Sequence, residues 1–282
     1  MKAFVWMSGA LLSLCLMAIA GRELAGAVHT FEILLVRSVV GLVIAIALIC
    51  RTGPRELFTT RRWKVHAVRN AAHFIGQYGW FLGLGLLPLA QVFALEFTTP
   101  FWTLLIAAVF LKEKLTGRKF LAIALGFAGV FLILNPGREI INPASFYVLI
   151  AAVFYAGSYV ATKALAPTDA PLTVLFYMNA MQFVFGLIMG LPDFVMPDSR
   201  QWCWLVLVGG SAFSAHYCMT NAMKHAEVSV VVTLDFLRLP LIALVGMLVY
   251  HEAFRPVLLA AAALMLTGNL INMGRPKKAA PA

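Results

Sequence analysis

Charge is what this 282-residue sequence has least of. Asp, Glu, Lys and Arg make up 12% of it, against about 25% in an ordinary soluble domain. A water-soluble fold could not cover its surface with so few charges. The 62% hydrophobic content and mean hydropathy of +0.89 point the same way, to a bilayer. Cysteine is sparse too. Cys15, Cys50, Cys203 and Cys218 are scattered with no Cys-x-x-Cys pair, which excludes a disulfide framework and gives no metal site. Cys15 and Cys218 lie in apolar stretches and read as small buried hydrophobes. No His-Glu-x-x-His, phosphate-binding loop or Gly-x-Ser-x-Gly occurs. Gly83-Leu84-Gly85 follows no strand, so it is not a nucleotide loop. An enzyme is therefore not expected, and neither a catalytic residue nor a cofactor nor a metal is predicted.

The net charge of +10 would suggest nucleic acid in a soluble protein. Here the basic residues sit in short loops, where they set orientation and touch anionic lipid headgroups. No nucleic-acid partner is expected. The partners are membrane lipid and a small-molecule substrate.

A helix needs about 20 mostly apolar residues to cross the hydrocarbon core. Stretches of that kind lie near 3–20, 30–50, 65–86, 89–111, 119–135, 145–166, 171–191, 202–223, 228–250 and 255–273. Residues 1–21 imitate a cleavable signal peptide, with Lys2, an apolar run and Ala18-Ile19-Ala20. They also have a counterpart in the second half of the chain, and read as a retained first span. With the N-terminus in the cytoplasm, fifteen of the 22 Lys and Arg fall on that side. Arg22, Arg138, Arg200 and Arg255 fall opposite, and Arg37, Arg69 and Arg238 lie within spans. The bias places both termini in the cytoplasm, which requires an even number of spans, and ten fits.

The chain also matches itself, without gaps, at an offset of 139. Gln77-Tyr78 meets His216-Tyr217, Leu95-Glu96-Phe97 meets Leu234-Asp235-Phe236, Glu113 meets Glu252 and Gly129 meets Gly268. Pro100 and Pro240 fall one position apart. The fold class predicted is all-α and membrane-embedded. Ten transmembrane helices form two five-helix repeats, residues 1–137 and 143–275. An odd number of spans per repeat inverts the second copy, which places a substrate site near the midplane between two interchangeable facings.

Phe110-Leu111-Lys112-Glu113, Gly117 and Gly126-Phe127-Ala128-Gly129-Val130 resemble the first-half signature of EamA-type proteins of the drug/metabolite transporter superfamily. Asp235-Phe236-Leu237-Arg238 through Tyr250-His251-Glu252 resembles the second-half version. The resemblance covers nearly the whole chain. It implies ten helices in inverted repeats, a central cavity, the bacterial inner membrane, and in many members the export of amino acids or other metabolites. It does not name the cargo.

An ionisable group inside a span is costly and marks function by default. Glu96 and Arg37 are expected about 10 Å from the outer face at 1.5 Å per residue. Asp235 lies equally deep from the inner face, with Arg238 three residues on. The pattern predicts an outer Arg37–Glu96 pair and an inner Asp235–Arg238 pair, symmetric about the midplane. Arg37, Glu96 and Asp235 are the coupling or gating candidates. The substrate-binding candidates are Gln77, Tyr78, Glu96, Trp102, Tyr159, His216, Tyr217, Asp235 and Arg238, beside the further aromatics Trp80, Phe97 and Tyr155. His73 reads as helix packing. Glu113 and Glu252 read as structural carboxylates at the N-terminus of the following helix, paired with Lys114 or Arg255. Gly79-x-x-x-Gly83 and Gly186-x-x-x-Gly190 permit close helix contact. The reading that follows is a secondary transporter of small amphipathic metabolites, amino acids moving outward, by alternating access. The alternatives are a carrier or importer of a larger polar metabolite such as a vitamin, nucleoside or S-adenosyl compound, and a passive channel or membrane enzyme. Ten spans suffice to enclose a cavity, so a monomer is sufficient.

Overall fold

Within a bilayer a helix is the form in which a single segment satisfies its own backbone hydrogen bonds, and the apolar runs between prolines and basic loops fold accordingly. A computed structural model describes residues 2–52, 55–110, 112, 115–134, 142–223, 225, 231, 234–253 and 255–273. Its helices are α1 (Lys2–Leu24), α2 (Thr30–Thr52), α3 (Trp63–Leu86), α4 (Leu89–Glu96), α5 (Thr99–Phe110), α6 (Gly117–Leu134), α7 (Ala144–Leu165), α8 (Pro171–Gly190), α9 (Ser199–Met223), α10 (Arg238–Tyr250) and α11 (Pro256–Met273). No strand occurs among the described residues.

Among the described residues, six stretches are long and apolar enough to cross a membrane: Lys2–Leu24, Thr30–Arg51, Leu89–Phe110, Gly117–Leu134, Ala144–Leu165 and Pro171–Gly190. Helices α3 and α9 are as long, at 24 and 25 residues, but less apolar, and α3 buries His66, Arg69, Asn70, His73 and Gln77. Large apolar residues face outward, among them Phe110 (76% exposed), Phe120 (70%) and Leu248 (69%). An exterior of this kind suits lipid.

The stretch expected at 89–111 is not one helix. α4 ends at Glu96 and α5 begins at Thr99, because Pro100 has no N–H to give the carbonyl of Glu96 four residues back. Thr99 Oγ1 donates to that carbonyl instead at 2.6 Å, and Thr98 Oγ1 donates to the Leu95 carbonyl at 2.7 Å. Around Pro240 the chain does the same. α10 starts only at Arg238, after a turn at Phe236–Leu237. Each proline thus sets a helix break beside an acidic residue.

α1 lies along α9 and α3 along α7; α2 packs on α8 and α9, α6 on α11, and α4 on α10. The glycine spacings work as expected. A Cβ on Gly79 would stand 2.6 Å from the Tyr147 carbonyl oxygen of α7, and one on Gly186 would stand 2.9 Å from Leu35 Cα of α2.

Two polar clusters tie the ends of these pairs. At the end of α1, Arg22 donates to the carbonyls of Leu84 and Leu87 and pairs with Glu252 Oε1 at 3.1 Å. Glu252 Oε2 accepts the Leu89 N–H at 2.9 Å. The expected partner of Glu252, the helix that follows it, is therefore replaced by the N-terminus of α4. The cause is local: His251 adopts a left-handed conformation (φ 53°), and the Glu252 N–H returns to the Gly246 carbonyl at 3.0 Å, turning the carboxylate back. Glu113 and Lys114 lie outside the described residues. At the other end, His66 Nε2 stands 3.1 Å from Asp169 Oδ1, Tyr177 Oη donates to the Phe58 carbonyl at 3.1 Å, and Arg62 donates to the Ala164 carbonyl. Burial alone would raise the Asp169 carboxyl, but hydrogen bonds from Thr168, Thr60 and His66 outweigh it and hold the group below its ordinary value.

Candidate functional site

A cavity of about 340 Å³ opens between the helices. Its wall takes Arg37 from α2, His73, Gln77 and Trp80 from α3, and Glu96 and Phe97 from the first break. Tyr155 and Tyr159 come from α7, His216 from α9, Asp235, Phe236 and Arg238 from the second break, and Asn269 from α11. His73 and Gln77 belong to the buried polar face of α3, so the polar wall and the lower hydropathy of that helix have one origin; α9 adds His216.

One group of side chains centres on Arg238. Its Nη1 stands 3.2 Å from Glu96 Oε1 and its Nη2 3.3 Å from Asp235 Oδ2. Glu96 Oε2 accepts the Trp80 Nε1–H at 2.8 Å. The guanidinium also lies over the rings of Phe93 and Phe97, 4.9 and 5.0 Å from their centroids, an arrangement that favours a desolvated cation. Phe97 in turn stacks on Phe236 at 4.4 Å. The residues that follow the two acidic positions therefore touch.

The second group centres on Arg37. Nη1 donates to Gln182 Oε1 at 3.1 Å. With the Gln77 amide turned so that its carbonyl faces the guanidinium, that oxygen accepts from Nη1 and Nη2 at 2.8 Å and Gln77 Nε2 donates to Gln182 Oε1 at 3.1 Å. Gln182 Nε2 stands 3.0 Å from His73 Nδ1, and the His73 ring lies 5.8 Å from His216 and 5.3 Å from Tyr155.

The predicted Arg37–Glu96 pair does not form, and the two symmetric pairs are replaced by a single Glu96–Arg238–Asp235 cluster with Arg37 apart from it. Packing decides this. α2 faces α8, which turns Arg37 to Gln182, while α4 faces α10, which turns Glu96 to Arg238. The Asp235–Arg238 half of the expectation is present.

Of the predicted substrate-binding residues, Gln77, Glu96, Tyr159, His216, Asp235 and Arg238 line the cavity, and Tyr78, Trp102 and Tyr217 do not. Tyr78 stacks on Phe31 at 4.4 Å, and Tyr217 meets the edge of Trp6 at 6.0 Å. Each follows a cavity residue by one position, which rotates it about 100° around the helix. Trp102 packs edge-on against Phe127 at 5.0 Å, since the break before α5 resets the face that helix presents. His73, expected as packing only, is part of the wall. Gln182 and Asn269 were missed by sequence reasoning. The available signal was an amide side chain within a mostly apolar span, Gln182 beside Asn179 and Asn269 beside Asn272.

A polytopic helical bundle with two broken helices meeting at a central polar cavity is the architecture of a membrane transporter. The model of the EamA-like transporter family matches residues 1–135 and again 142–274. The chain belongs to that family, within the drug/metabolite transporter superfamily, and is a multi-pass protein of the bacterial inner membrane. It is similar to a riboflavin transporter of Brucella anthropi, 31% identical over 243 residues, covering 83% of this chain and 84% of that one. It is also similar to an S-adenosylmethionine uptake transporter of Rickettsia bellii, 22% identical over 261 residues, 93% and 89% of the two chains. A solved crystal structure superposes with a TM-score of 0.67 at 22% identity over 96% of both chains, which shows a shared fold.

Proposed function

We propose that this transporter is a carrier of a flavin-like vitamin that works by alternating access. The observation that carries the reading is the cavity. Its volume of about 340 Å³ lies in the range of sites for drug-sized ligands, about 300–1,000 Å³. Trp80, Phe97, Tyr155 and Tyr159 supply flat apolar walls with a few polar points between them. That suits a polar heteroaromatic better than a single amino acid. The relatives' names agree: they specify riboflavin and S-adenosylmethionine, so the vitamin alternative replaces amino-acid export as the leading reading. The identity to the riboflavin transporter is the higher of the two, which favours riboflavin.

We also infer that residues 1–137 and 143–275 are inverted five-helix repeats with both termini cytoplasmic. The family model fits the chain twice. The packing of α1 on α9 and α3 on α7 is the pattern that exchanging two halves leaves unchanged. The stack of Phe97 on Phe236 puts equivalent positions against each other, as on a two-fold axis. In this arrangement the Arg22–Glu252–Leu89 cluster closes the outer end and must release for outward opening.

The test is uptake into proteoliposomes of labelled riboflavin, S-adenosylmethionine and a mixture of amino acids, with and without a pH gradient. Saturable riboflavin uptake with counterflow supports the reading. Flux that neither saturates nor shows counterflow would make the protein a channel. Amino-acid flux in place of riboflavin would make the protein an amino-acid carrier.

A further inference from the structure

Buried polar atoms in native proteins almost always have hydrogen-bond partners. Among the described residues seven side-chain atoms are buried without one, and four of them belong to cavity residues: Arg37 Nε, Arg238 Nε, Asp235 Oδ1 and Asn269 Nδ2. Their residues sit in two groups of opposite character. Among the described residues, Arg37, 2% exposed, has only the neutral carbonyls of Gln77 and Gln182 as partners. Among the same residues Arg69, one turn before His73 on α3, bonds only Asn70 Oδ1 and Thr162 Oγ1. Neither guanidinium pairs with a carboxylate among the described residues. At the other group, two carboxylates share the single Arg238, so this wall is short of positive charge. A guanidinium can only donate and an ionised carboxylate only accept.

We infer that the cavity orients its cargo by this polarity: acceptor oxygens of the ligand face Arg37, and donor groups, hydroxyl or ammonium, face Asp235, with the ring system between Trp80, Tyr155 and Tyr159. The inference rests on the carrier reading of the cavity. For a flavin it places the imide edge of the ring at Arg37, since that edge carries two carbonyl oxygens flanking an N–H, which a guanidinium beside a glutamine carbonyl can meet. The hydroxylated chain then lies at Asp235. S-adenosylmethionine is accommodated less well, because its carboxylate and ammonium share one carbon and cannot reach both poles when a ring system lies between them.

The experiment pairs variants with ligand analogues. Riboflavin, its N3-methyl derivative (imide edge blocked) and lumichrome (no hydroxylated chain) are measured for binding to wild type, Arg37→Gln and Asp235→Asn by thermal shift and by competition for uptake. In wild type each analogue is expected to bind at least tenfold more weakly than riboflavin. Arg37→Gln abolishes the penalty for methylation but keeps that for losing the chain, and Asp235→Asn does the reverse. A crossed pattern, with the chain penalty tied to Arg37, overturns the orientation, and so does equal sensitivity to both. The wild-type comparison stands even where a variant fails to fold, and there an N3-methyl derivative binding as tightly as riboflavin overturns the inference. If riboflavin neither binds nor moves, the vitamin reading fails, and the polarity is then read from binding of folate (acceptor-rich) and S-adenosylmethionine. Loss of folate binding in Arg37→Gln but not Asp235→Asn retains it; binding of neither ligand, or binding insensitive to Arg37, overturns it.

Discussion

Arg238 and Glu96, 142 residues apart, meet at 3.2 Å where two broken helices face each other. The contact joins the first break to the second, and Asp235 shares the same guanidinium. A charge placed there links any movement of α4 to movement of α10.

Removing one member of such a cluster leaves a buried charge without compensation, at about 3–5 kcal/mol. Arg238→Gln is therefore expected to be the most damaging single change, because it strands Glu96 and Asp235 together. Glu96→Gln should cost more than Asp235→Asn, since Glu96 also holds the Trp80 indole. Thermal unfolding in detergent, with uptake in proteoliposomes, gives the ranking. Equal and minor losses for all three would mean that the cluster is not coupled.

In the proposed arrangement, where Glu252 sits at the outer closure, its carboxyl makes that closure sensitive to pH. Burial raises its carboxyl, against the opposing Leu89 N–H and Arg22. If opening exposes the group and returns it to the ordinary value of about 4.3, the closed end binds the proton more tightly. Acid outside then favours the closed end, in the window between the ordinary and the raised value. Counterflow should slow as the external pH falls through that window, and Glu252→Gln should remove the dependence. A pH profile unchanged by the substitution would place the titrating group elsewhere.

Asp169 behaves in the opposite sense. Its folded value is lowered, so its contribution to stability is complete above the ordinary carboxylate value of about 3.9 and is lost as pH falls through the lowered one. Between pH 5 and 8 it should add no pH dependence. Asp169→Asn should cost about 1–3 kcal/mol, the range for a hydrogen bond to a charged group and the partner it leaves. Unfolding midpoints of the two proteins across this range test both statements.

Helix contact gives a sharper comparison. Gly186→Ala drives a methyl against the α2 backbone at Leu35 and should cost about 1–3 kcal/mol, as overpacking does. Gly157 on α7 has open space around its missing Cβ, so Gly157→Ala should be neutral or stabilising by up to about 1 kcal/mol. Denaturation of both variants in the same detergent decides it; equal costs would mean that α2 and α8 separate freely.

Much of the cavity was legible in the linear sequence. Gln77 and His216 are matched by the repeat and both reach the wall, as do Glu96 and Asp235. Tyr78 and Tyr217, matched equally well, do not. An offset of 139 pairs equivalent faces but does not say which face is inward, and one residue along a helix turns the side chain by about 100°. Gln182 and Asn269 are not legible in the same way, because an uncharged amide barely changes the hydropathy of a span and no repeat match marks it.

The helical, membrane-bound character of this protein was determined by its sequence alone. Scarce charge and long apolar runs leave few other structures, because backbone groups in a bilayer must bond within their own segment. The helix breaks beside Glu96 and Asp235 were likewise written in Pro100 and Pro240. Which guanidinium serves which carboxylate was decided only by tertiary structure. Arg37 and Arg238 carry the same charge and both are buried, and the choice between them depends on α2 facing α8 while α4 faces α10. Those packings arise from close contacts at glycines and from side-chain shape, which act over a few ångströms between residues far apart in the chain.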